Sequence, residues 1–341
     1  MKKHANLSIF VPHAGCTQQC SFCNQRSISG AVTLPRAQDV TALCEQQLPQ
    51  AGAGQTTEIA FFGGSFTAME QSYMEELLAA AQPFVQSTRA AGIRISTRPD
   101  AISPAILETL RRFGVTAIEL GAQSMSDRVL QLNHRGHTSL QVRFAALQIK
   151  NAGFSLGLQM MVGLFGETDP ARFARDTALA LASLEPDTMR IYPALVLQGT
   201  ELAQLAAAGA YHPLSVEQAV AATAPLLQLF ENKGIRVIRV GLHDEPSLAQ
   251  QVVAGPYHPA FRQLCEASLY LDEMKSQLKN REEGAYTALV APGQRSTGAG
   301  QKNENLTRLA QLGYAVTIVE TAALCGRKVL IQNQKDVKAC S

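Results

Sequence analysis

The feature that most limits the fold is a regular alternation of short β-type segments and longer helical segments up to about residue 235. The predicted strands are residues 7–12, 58–62, 93–97, 117–120, 156–161 and 188–193. The predicted helices, which carry apolar residues at helical spacing, are residues 37–47, 71–91, 104–113, 140–152, 171–183 and 216–233. Repeated βα units build a parallel sheet, either a barrel or a doubly wound sheet. Six such units favour an α/β fold with a partial (β/α)6 TIM-type barrel.

The alternation changes after Gly234. Strand-like segments at residues 235–240, 286–290, 315–320 and 329–332 are combined with helical segments at residues 264–280 and 304–312. This mixture predicts a small α+β C-terminal extension. We therefore predict two domains, a barrel at residues 1–234 and an extension at residues 235–341, and the length of 341 residues allows both.

Composition and charge exclude several classes of protein. With 46% hydrophobic and 17% charged residues, the chain is neither disordered nor a coiled coil. Its net charge of +2 gives no whole-protein electrostatic case for nucleic acid or acidic membranes and leaves only a local basic patch. No apolar run approaches the roughly 18–20 residues of a membrane span, and the apolar stretch at residues 5–12 is short for a signal peptide. We expect a cytoplasmic protein with reduced thiols and no membrane partner.

Three of the seven cysteines, Cys16, Cys20 and Cys23, lie together after the first predicted strand with the spacing C-x3-C-x2-C. Cysteines clustered in a reducing compartment are typical of metal ligands or catalytic groups, and three thiolates suit a soft metal centre. A [4Fe–4S] cluster held by three cysteines keeps one iron open to a ligand, which indicates chemistry and not scaffolding. The alternative is a structural zinc site, which needs a remote fourth ligand such as His13, Cys44 or Cys265.

The pattern C-x3-C-x-aromatic-C after the first strand of a (β/α) barrel resembles the radical S-adenosylmethionine (radical SAM) superfamily. The resemblance implies that the three cysteines hold a [4Fe–4S] cluster and that S-adenosyl-L-methionine (SAM) chelates its unique iron. It also implies that electron transfer cleaves SAM to a 5′-deoxyadenosyl radical. Phe22 would then approach the adenine of SAM.

Residues at the ends of later strands extend this resemblance. Gly63, Gly64 and Ser65 stand where the superfamily has its GGE motif, which implies a contact with the SAM amine, with serine in place of the usual acid. Ser96 stands where related proteins often carry a glutamate that contacts the ribose. The residues expected to bind the ribose or carboxylate of SAM are Gln123, Arg135 and Gln159.

Two residues are expected to act on the substrate. Arg98 and Tyr192 follow or end predicted strands, and the carboxyl ends of barrel strands are where such folds place active sites. Arg98, like Arg190, would face the substrate or the SAM carboxylate. Tyr192 would stack on the substrate or donate a hydrogen atom, and the alternative is a core tyrosine with a bonded hydroxyl.

Three further segments indicate which members of the superfamily this chain resembles, namely residues 96–100, 119–124 and 133–138. They resemble the radical SAM core of the catalytic subunit of Elongator, which modifies the wobble uridine of tRNA, and more distantly oxygen-independent coproporphyrinogen oxidase. The likeness covers about residues 5–260. The Elongator subunit also carries an acetyltransferase domain, for which we expect this chain to be too short.

We therefore predict a radical SAM enzyme that abstracts hydrogen from an unidentified substrate, with an RNA base as the candidate. The electron donor would be flavodoxin or ferredoxin. The near-neutral charge speaks against RNA. Two alternatives stay open: a coproporphyrinogen-oxidase-like protein that acts on or carries a tetrapyrrole or haem, and a non-catalytic metal-binding barrel.

Overall fold

The computed structural model describes residues 3–16, 19–25, 28, 33–48, 55–242 and 246–334. The strands of this part of the chain are β1 (Lys3–Phe10), β2 (Gln55–Phe62), β3 (Ile93–Thr97), β4 (Val115–Gln123), β5 (Ser155–Val162), β6 (Thr188–Pro193), β7 (Val196–Leu197), β8 (Arg236–Val240), β9 (Val252–Ala254), β10 (Gly284–Val290), β11 (Tyr314–Glu320) and β12 (Val329–Asn333). The α-helices are α1 (Ala37–Gln47), α2 (Gln71–Gln86), α3 (Pro104–Arg112), α4 (Asp127–Leu132), α5 (Ser139–Asn151), α6 (Pro170–Ala182), α7 (Glu201–Ala207), α8 (Val216–Asn232), α9 (Pro246–Gln251), α10 (Phe261–Leu278), α11 (Arg295–Ala299) and α12 (Glu304–Ala310).

Seven parallel strands form the main sheet in the order β1-β2-β3-β4-β5-β6-β8. The order of the strands in the sheet therefore follows their order in the sequence, and each connection contains a helix. This order is that of an open barrel, with β1 and β8 at its two edges. The structure confirms the predicted partial barrel with an α+β extension.

The sheet is one strand wider than the six predicted βα units. Strand β8 pairs with β6 in parallel, and its Val237 and Val240 belong to the same apolar core as the other six strands. Strand pairing thus places Arg236–Val240 with the barrel, although it follows the predicted boundary between residues 234 and 235. The division into two domains stays a prediction.

The helix predicted at residues 71–91 is shorter in the structure. It ends at Gln86, and Thr88 then takes a left-handed φ of 59°.

Residues of the strands alternate between an apolar outer face and a polar inner face. Ile95 of β3, Ile118 of β4 and Ile191 of β6 pack with the helices in the barrel core. Their neighbours in sequence, such as Arg94 and Glu119, point to the opposite face because side chains alternate along a strand. A parallel sheet covered on both faces would be apolar throughout. The polar inner face therefore marks a surface that is not filled by ordinary core packing.

The segment after β9 contains a second apolar core. Strand β10 pairs in parallel with β11 and antiparallel with β12. Helix α10 connects the two cores, since its first turns place Phe261 and Cys265 in the barrel core while Tyr270 and Met274 pack under the small sheet. Among the described residues, no helix combines the length and apolar character needed to cross a membrane.

A buried network of ion pairs crosses the inner face of the barrel. Arg94 bonds Glu58 on one side at 2.7 Å and Glu119 on the other at 3.1 Å. Glu119, which is 3% exposed, also takes two hydrogen bonds from Arg190, of 2.7 and 3.1 Å. Gly157 makes room for this carboxylate, because a Cβ there would lie 2.7 Å from the Glu119 Cγ. Strands β2, β3, β4 and β6 are thereby fixed in one register.

We expect Arg94→Met to lower the free energy of unfolding by about 3–5 kcal/mol, because it leaves two buried carboxylates without their shared partner. The control is Arg172→Met, which removes an exposed pair with Asp176 at 3.7 Å and should cost less than about 1 kcal/mol. Urea unfolding of both variants measures the difference. Equal losses in the two variants would show that the network does not stabilise the barrel.

Candidate active site

A cavity of about 640 Å³ opens at the carboxyl ends of the barrel strands. Its wall contains the inner-face residues at the ends of β1 to β6 and the loop that follows β1. The structure places every predicted site residue on this wall: Cys16, Cys20, Phe22, Cys23, Gly63, Gly64, Ser65, Arg98, Gln123, Arg135, Gln159 and Tyr192. Their roles remain predictions, but all the residues predicted to belong to one site line one cavity.

The loop that carries Cys16, Cys20 and Cys23 (the cysteine loop) is held against the end of β2 by close backbone contacts. The Ser65 N–H donates to the Ala14 carbonyl at 2.8 Å, and the His13 N–H donates to the Gly63 carbonyl at 3.0 Å. A Cβ on Gly64 would lie 2.4 Å from the Ala14 oxygen and 2.6 Å from the Val11 oxygen. Only glycine permits this approach. Gly64 thus positions the loop that carries the cysteines.

Asn133 fixes the other side of the cysteine loop. Its buried side-chain oxygen accepts a hydrogen bond from the Ser21 hydroxyl at 2.7 Å. Its amide nitrogen donates to the carbonyls of Val129 and Phe165, at 2.8 and 2.9 Å. The chain between Cys20 and Cys23 is therefore tied to the loops that follow β4 and β5, a role that sequence reasoning missed.

The candidate fourth ligands of a zinc site are engaged elsewhere. The His13 ring accepts a hydrogen bond at Nε2 from the Gln25 N–H at 3.0 Å, which joins the two ends of the cysteine loop. Cys44 and Cys265 are fully buried in the helix-side core of the barrel. Over the described ranges, no group of three or more His, Cys, Asp or Glu side chains forms a ready site for a metal ion. Cys16, Cys20 and Cys23 line one cavity, and three thiolates are the ligand set expected for a four-iron cluster that keeps one iron open.

The environment of Cys16 and Cys23 favours the neutral form of their thiols. Burial, followed by the nearby Cys20, raises the pKa of Cys23 to about 12, against the opposing effects of Gln25 and Arg135. Burial and Cys20 also raise the pKa of Cys16. Repulsion between neighbouring thiolates is relieved when a cationic centre takes them as ligands.

Arg135 connects the cysteine loop to the end of β4. Its Nη1 lies 3.0 Å from the Cys20 Sγ and its Nη2 donates to the Gly121 carbonyl at 2.7 Å. The guanidinium also lies over the Phe22 ring, 5.9 Å from its centre. Its buried Nε has no hydrogen-bond partner among the described residues. The side chain is thus held in place with one donor left for a ligand.

Gln123 ends β4 in an uncommon conformation. Its φ of 66° lies in the left-handed region, and the pairing of β4 with β5 shifts register between Gly121 and Gln123. A bulge of this kind re-aims a side chain. The amide oxygen is buried without a partner in the described part of the chain, so both the backbone strain and the orphaned acceptor favour a ligand contact. Gln159 lies on the neighbouring β5 and lines the same cavity.

Ser65 and Arg98 are already bonded to protein groups. The Ser65 hydroxyl lies 3.1 Å from the Thr97 hydroxyl and accepts the Arg98 N–H at 3.2 Å. The Arg98 guanidinium forms a fork with both oxygens of Asp100, at 2.9 and 2.6 Å. Asp100 was not identified from the sequence, and it balances the charge that Arg98 would offer to a substrate.

Tyr192 lies beside the buried ion network. Its hydroxyl is 3.5 Å from the Arg190 Nη1, and its half-buried ring lines the cavity. Burial would lower the pKa of Arg190, but Glu119 opposes this and keeps it above its usual range. Glu119 lies within a segment that the sequence analysis used, yet its pairing was missed. The signal was a charged residue between apolar neighbours, as in Ile118-Glu119-Leu120.

Ser96 lies next to this carboxylate. It pairs in register with Glu119, and its hydroxyl is 3.5 Å from the Glu119 Oε2. The position expected to contact the ribose thus carries a small hydroxyl residue beside a carboxylate of the adjacent strand.

We expect Gly64→Ala to displace the cysteine loop, because its new Cβ would overlap two backbone oxygens that cannot move independently. Iron bound per chain after anaerobic reconstitution should fall several-fold. The control is Gly298→Ala, whose Cβ would lie 3.2 Å from the mobile end of Ile318 in the second core. Wild-type iron content in Gly64→Ala would contradict this account of the loop.

Comparison with known proteins agrees with this architecture. The chain is 29% identical over 183 residues to the tRNA uridine(34) acetyltransferase of Methanocaldococcus infernus, which covers 48% of this chain and 34% of that protein. It is 28% identical over 207 residues to Elongator complex protein 3 of Saccharomyces cerevisiae, or 54% of this chain and 36% of that protein. The matched segment thus spans about a third of these curated relatives.

A solved structure shows the same fold. The archaeal Methanocaldococcus infernus Elp3 with an N-terminal deletion superposes with a TM-score of 0.63 at 20% identity, over 83% of this chain and 65% of that one. Two family descriptions match the sequence directly: "Radical SAM superfamily" at residues 10–174 and "Radical SAM C-terminal domain" at residues 186–271. The chain belongs to the radical SAM superfamily.

Proposed function

We propose that the chain is an enzyme that cleaves SAM reductively at a [4Fe–4S] cluster and abstracts hydrogen from an RNA base. The superfamily uses this cluster and SAM. The observation that carries the proposal is the position of Cys16, Cys20 and Cys23 on one cavity wall, at the carboxyl ends of the barrel strands. Clustered thiols at that place belong to an active site and not to a structural metal knot.

The residues around the cysteines would bind and orient the cofactors. The three thiolates would hold the cluster, Phe22 would lie against the adenine, and the Gly63-Gly64-Ser65 turn would face the amine. The unpaired Gln123 oxygen and Arg135 Nε offer an acceptor and a donor for the ribose and the carboxylate, with Gln159 beside them. When bound, the cluster and SAM supply a 5′-deoxyadenosyl radical that takes a hydrogen atom from the substrate.

The opposite part of the cavity would receive the substrate. Tyr192 presents its ring and hydroxyl there, next to Arg190. Arg98 would face the substrate from the same cavity wall, with its guanidinium held by Asp100. The protein's share of the reaction is to hold the substrate near the reactive carbon and to exclude water.

The RNA substrate is supported by the relatives and by local charge. The curated relatives above are named for tRNA uridine and for Elongator. The net charge of +2 does not favour RNA, but arginines are concentrated on the cavity wall. We also propose a flavodoxin or ferredoxin as electron donor and the cytoplasm as location, where thiols stay reduced.

We expect the wild-type protein, reconstituted anaerobically, to form 5′-deoxyadenosine from SAM and dithionite. Cys16→Ala, Cys20→Ala and Cys23→Ala should lose iron and reduce this product at least about a hundredfold, since each removes one cluster ligand. Cys265→Ala, a buried cysteine outside the cavity, is the matched control and should keep its iron. Absence of product from wild-type protein with an intact cluster would overturn the proposed reaction.

We expect wild-type protein to bind a tRNA anticodon stem-loop with an affinity that falls as KCl rises, because phosphate contacts release counterions. Fluorescence anisotropy over a roughly sixfold range of KCl, from about 50 to about 300 mM, measures this. Binding of a tetracarboxylate tetrapyrrole in place of RNA would instead support the coproporphyrinogen-oxidase-like alternative.

A further inference from the structure

A β-bulge turns Arg239 toward the barrel interior. In the pairing of β6 with β8, Thr188 faces Arg236 and Met189 faces Val237, but Arg190 then faces Arg239. The bulge takes up Ile238. Paired residues of adjacent strands share a face of the sheet, so Arg239 lies on the same inner face as Arg190 and lines the cavity. Bulges beside active sites commonly re-aim a side chain in this way.

The other arginines of the cavity wall already have partners. Arg98 is forked on Asp100, and Arg135 is bonded to the Cys20 thiol and a carbonyl. Arg190 is held by Glu119, whose carboxylate is also shared with Arg94. These contacts leave no carboxylate of the network for a further cation.

Arg239 is different, because it is exposed and makes no ion pair with any residue that the structure describes. Leu195, Leu197 and Leu242 line the same cavity and offer no side-chain acceptor. A second arginine beside Arg190 costs free energy through like-charge repulsion unless an anion offsets it. Arg135 also lacks a carboxylate partner among the described residues, but it is buried against Cys20. Arg239 is thus an exposed guanidinium of the cavity wall with no described carboxylate to neutralise it.

We propose that Arg239 binds a phosphate of the RNA substrate, an assignment that rests on the proposed function. A guanidinium binds phosphate through two parallel hydrogen bonds, which fixes orientation as well as adding affinity. A phosphate beside Arg239 would direct the adjacent nucleoside toward Tyr192, two residues along β6 from Arg190. The residue is therefore assigned to substrate positioning at the β6–β8 side of the barrel.

The test uses anisotropy binding of the anticodon stem-loop to the full-length protein and to three variants. Arg239→Ala should weaken binding about tenfold and reduce the slope of log Kd against log[KCl] by about one, as expected for one lost phosphate contact. Arg239→Lys keeps the charge and should restore the slope but only part of the affinity. Arg236→Ala is the matched control, an exposed arginine of the same strand that does not line the cavity. Its affinity and slope should equal those of the wild type.

Each outcome decides a different statement. Arg239→Ala with wild-type affinity and slope overturns the assignment while the proposed RNA function stands. Equal losses in Arg239→Ala and Arg236→Ala also overturn it, because they indicate a diffuse surface effect. Wild-type protein that does not bind the RNA overturns the proposed function and the assignment with it. Thermal unfolding of each variant verifies that a loss of binding is not a loss of fold.

Discussion

The buried carboxylate of Glu119 is the interaction on which the barrel interior depends. Two guanidinium groups converge on it, that of Arg94 from the adjacent strand β3 and that of Arg190 from β6, across β5. Desolvating such charges is costly, and only good geometry with full hydrogen bonding offsets the cost. The network therefore requires a single register over four strands. The network also prevents apolar packing of the inner face. The barrel interior, which side chains fill in a complete barrel, is here a cavity lined by polar residues.

The cysteine loop is placed by contacts that contain no cysteine. Gly64 permits backbone approach on one side, and Asn133 ties the loop to β4 and β5 on the other. Arg135 then contacts Cys20 directly. The loop is thus held at both flanks by the segments that follow β2, β4 and β5. A disturbance of register in the sheet would reach the cysteines through these contacts.

Patterns in the sequence predicted the fold class, and the residues proposed for the site lie on one wall, although their roles stay predictions. Strand ends and cysteine spacing brought Cys16, Gln123 and Tyr192 to one wall, because parallel strands end at a common edge. Contacts between side chains that are far apart in the sequence could not be predicted in the same way. The contact between Arg190 and Glu119 joins residues 71 positions apart, and Asp100 takes the charge expected to face a substrate. The bulge at Ile238 has no sequence signal, since one inserted residue only shows itself through its partner strand.

Because charged residues cancel one another in ion pairs, the net charge of the chain is not the charge that a ligand meets in the cavity. A net charge of +2 averages many residues whose charges cancel in pairs, and such pairs exert little field beyond a Debye length. Recognition of an anion depends on the few charges that are left unpaired where a ligand arrives. On the cavity wall, carboxylates of the protein pair with Arg98 and Arg190, Arg135 is buried against Cys20, and Arg239 stays exposed without a described ion-pair partner. A near-neutral chain is therefore compatible with a polyanionic substrate when the fold leaves an exposed cation without an ion-pair partner on the wall of its cavity.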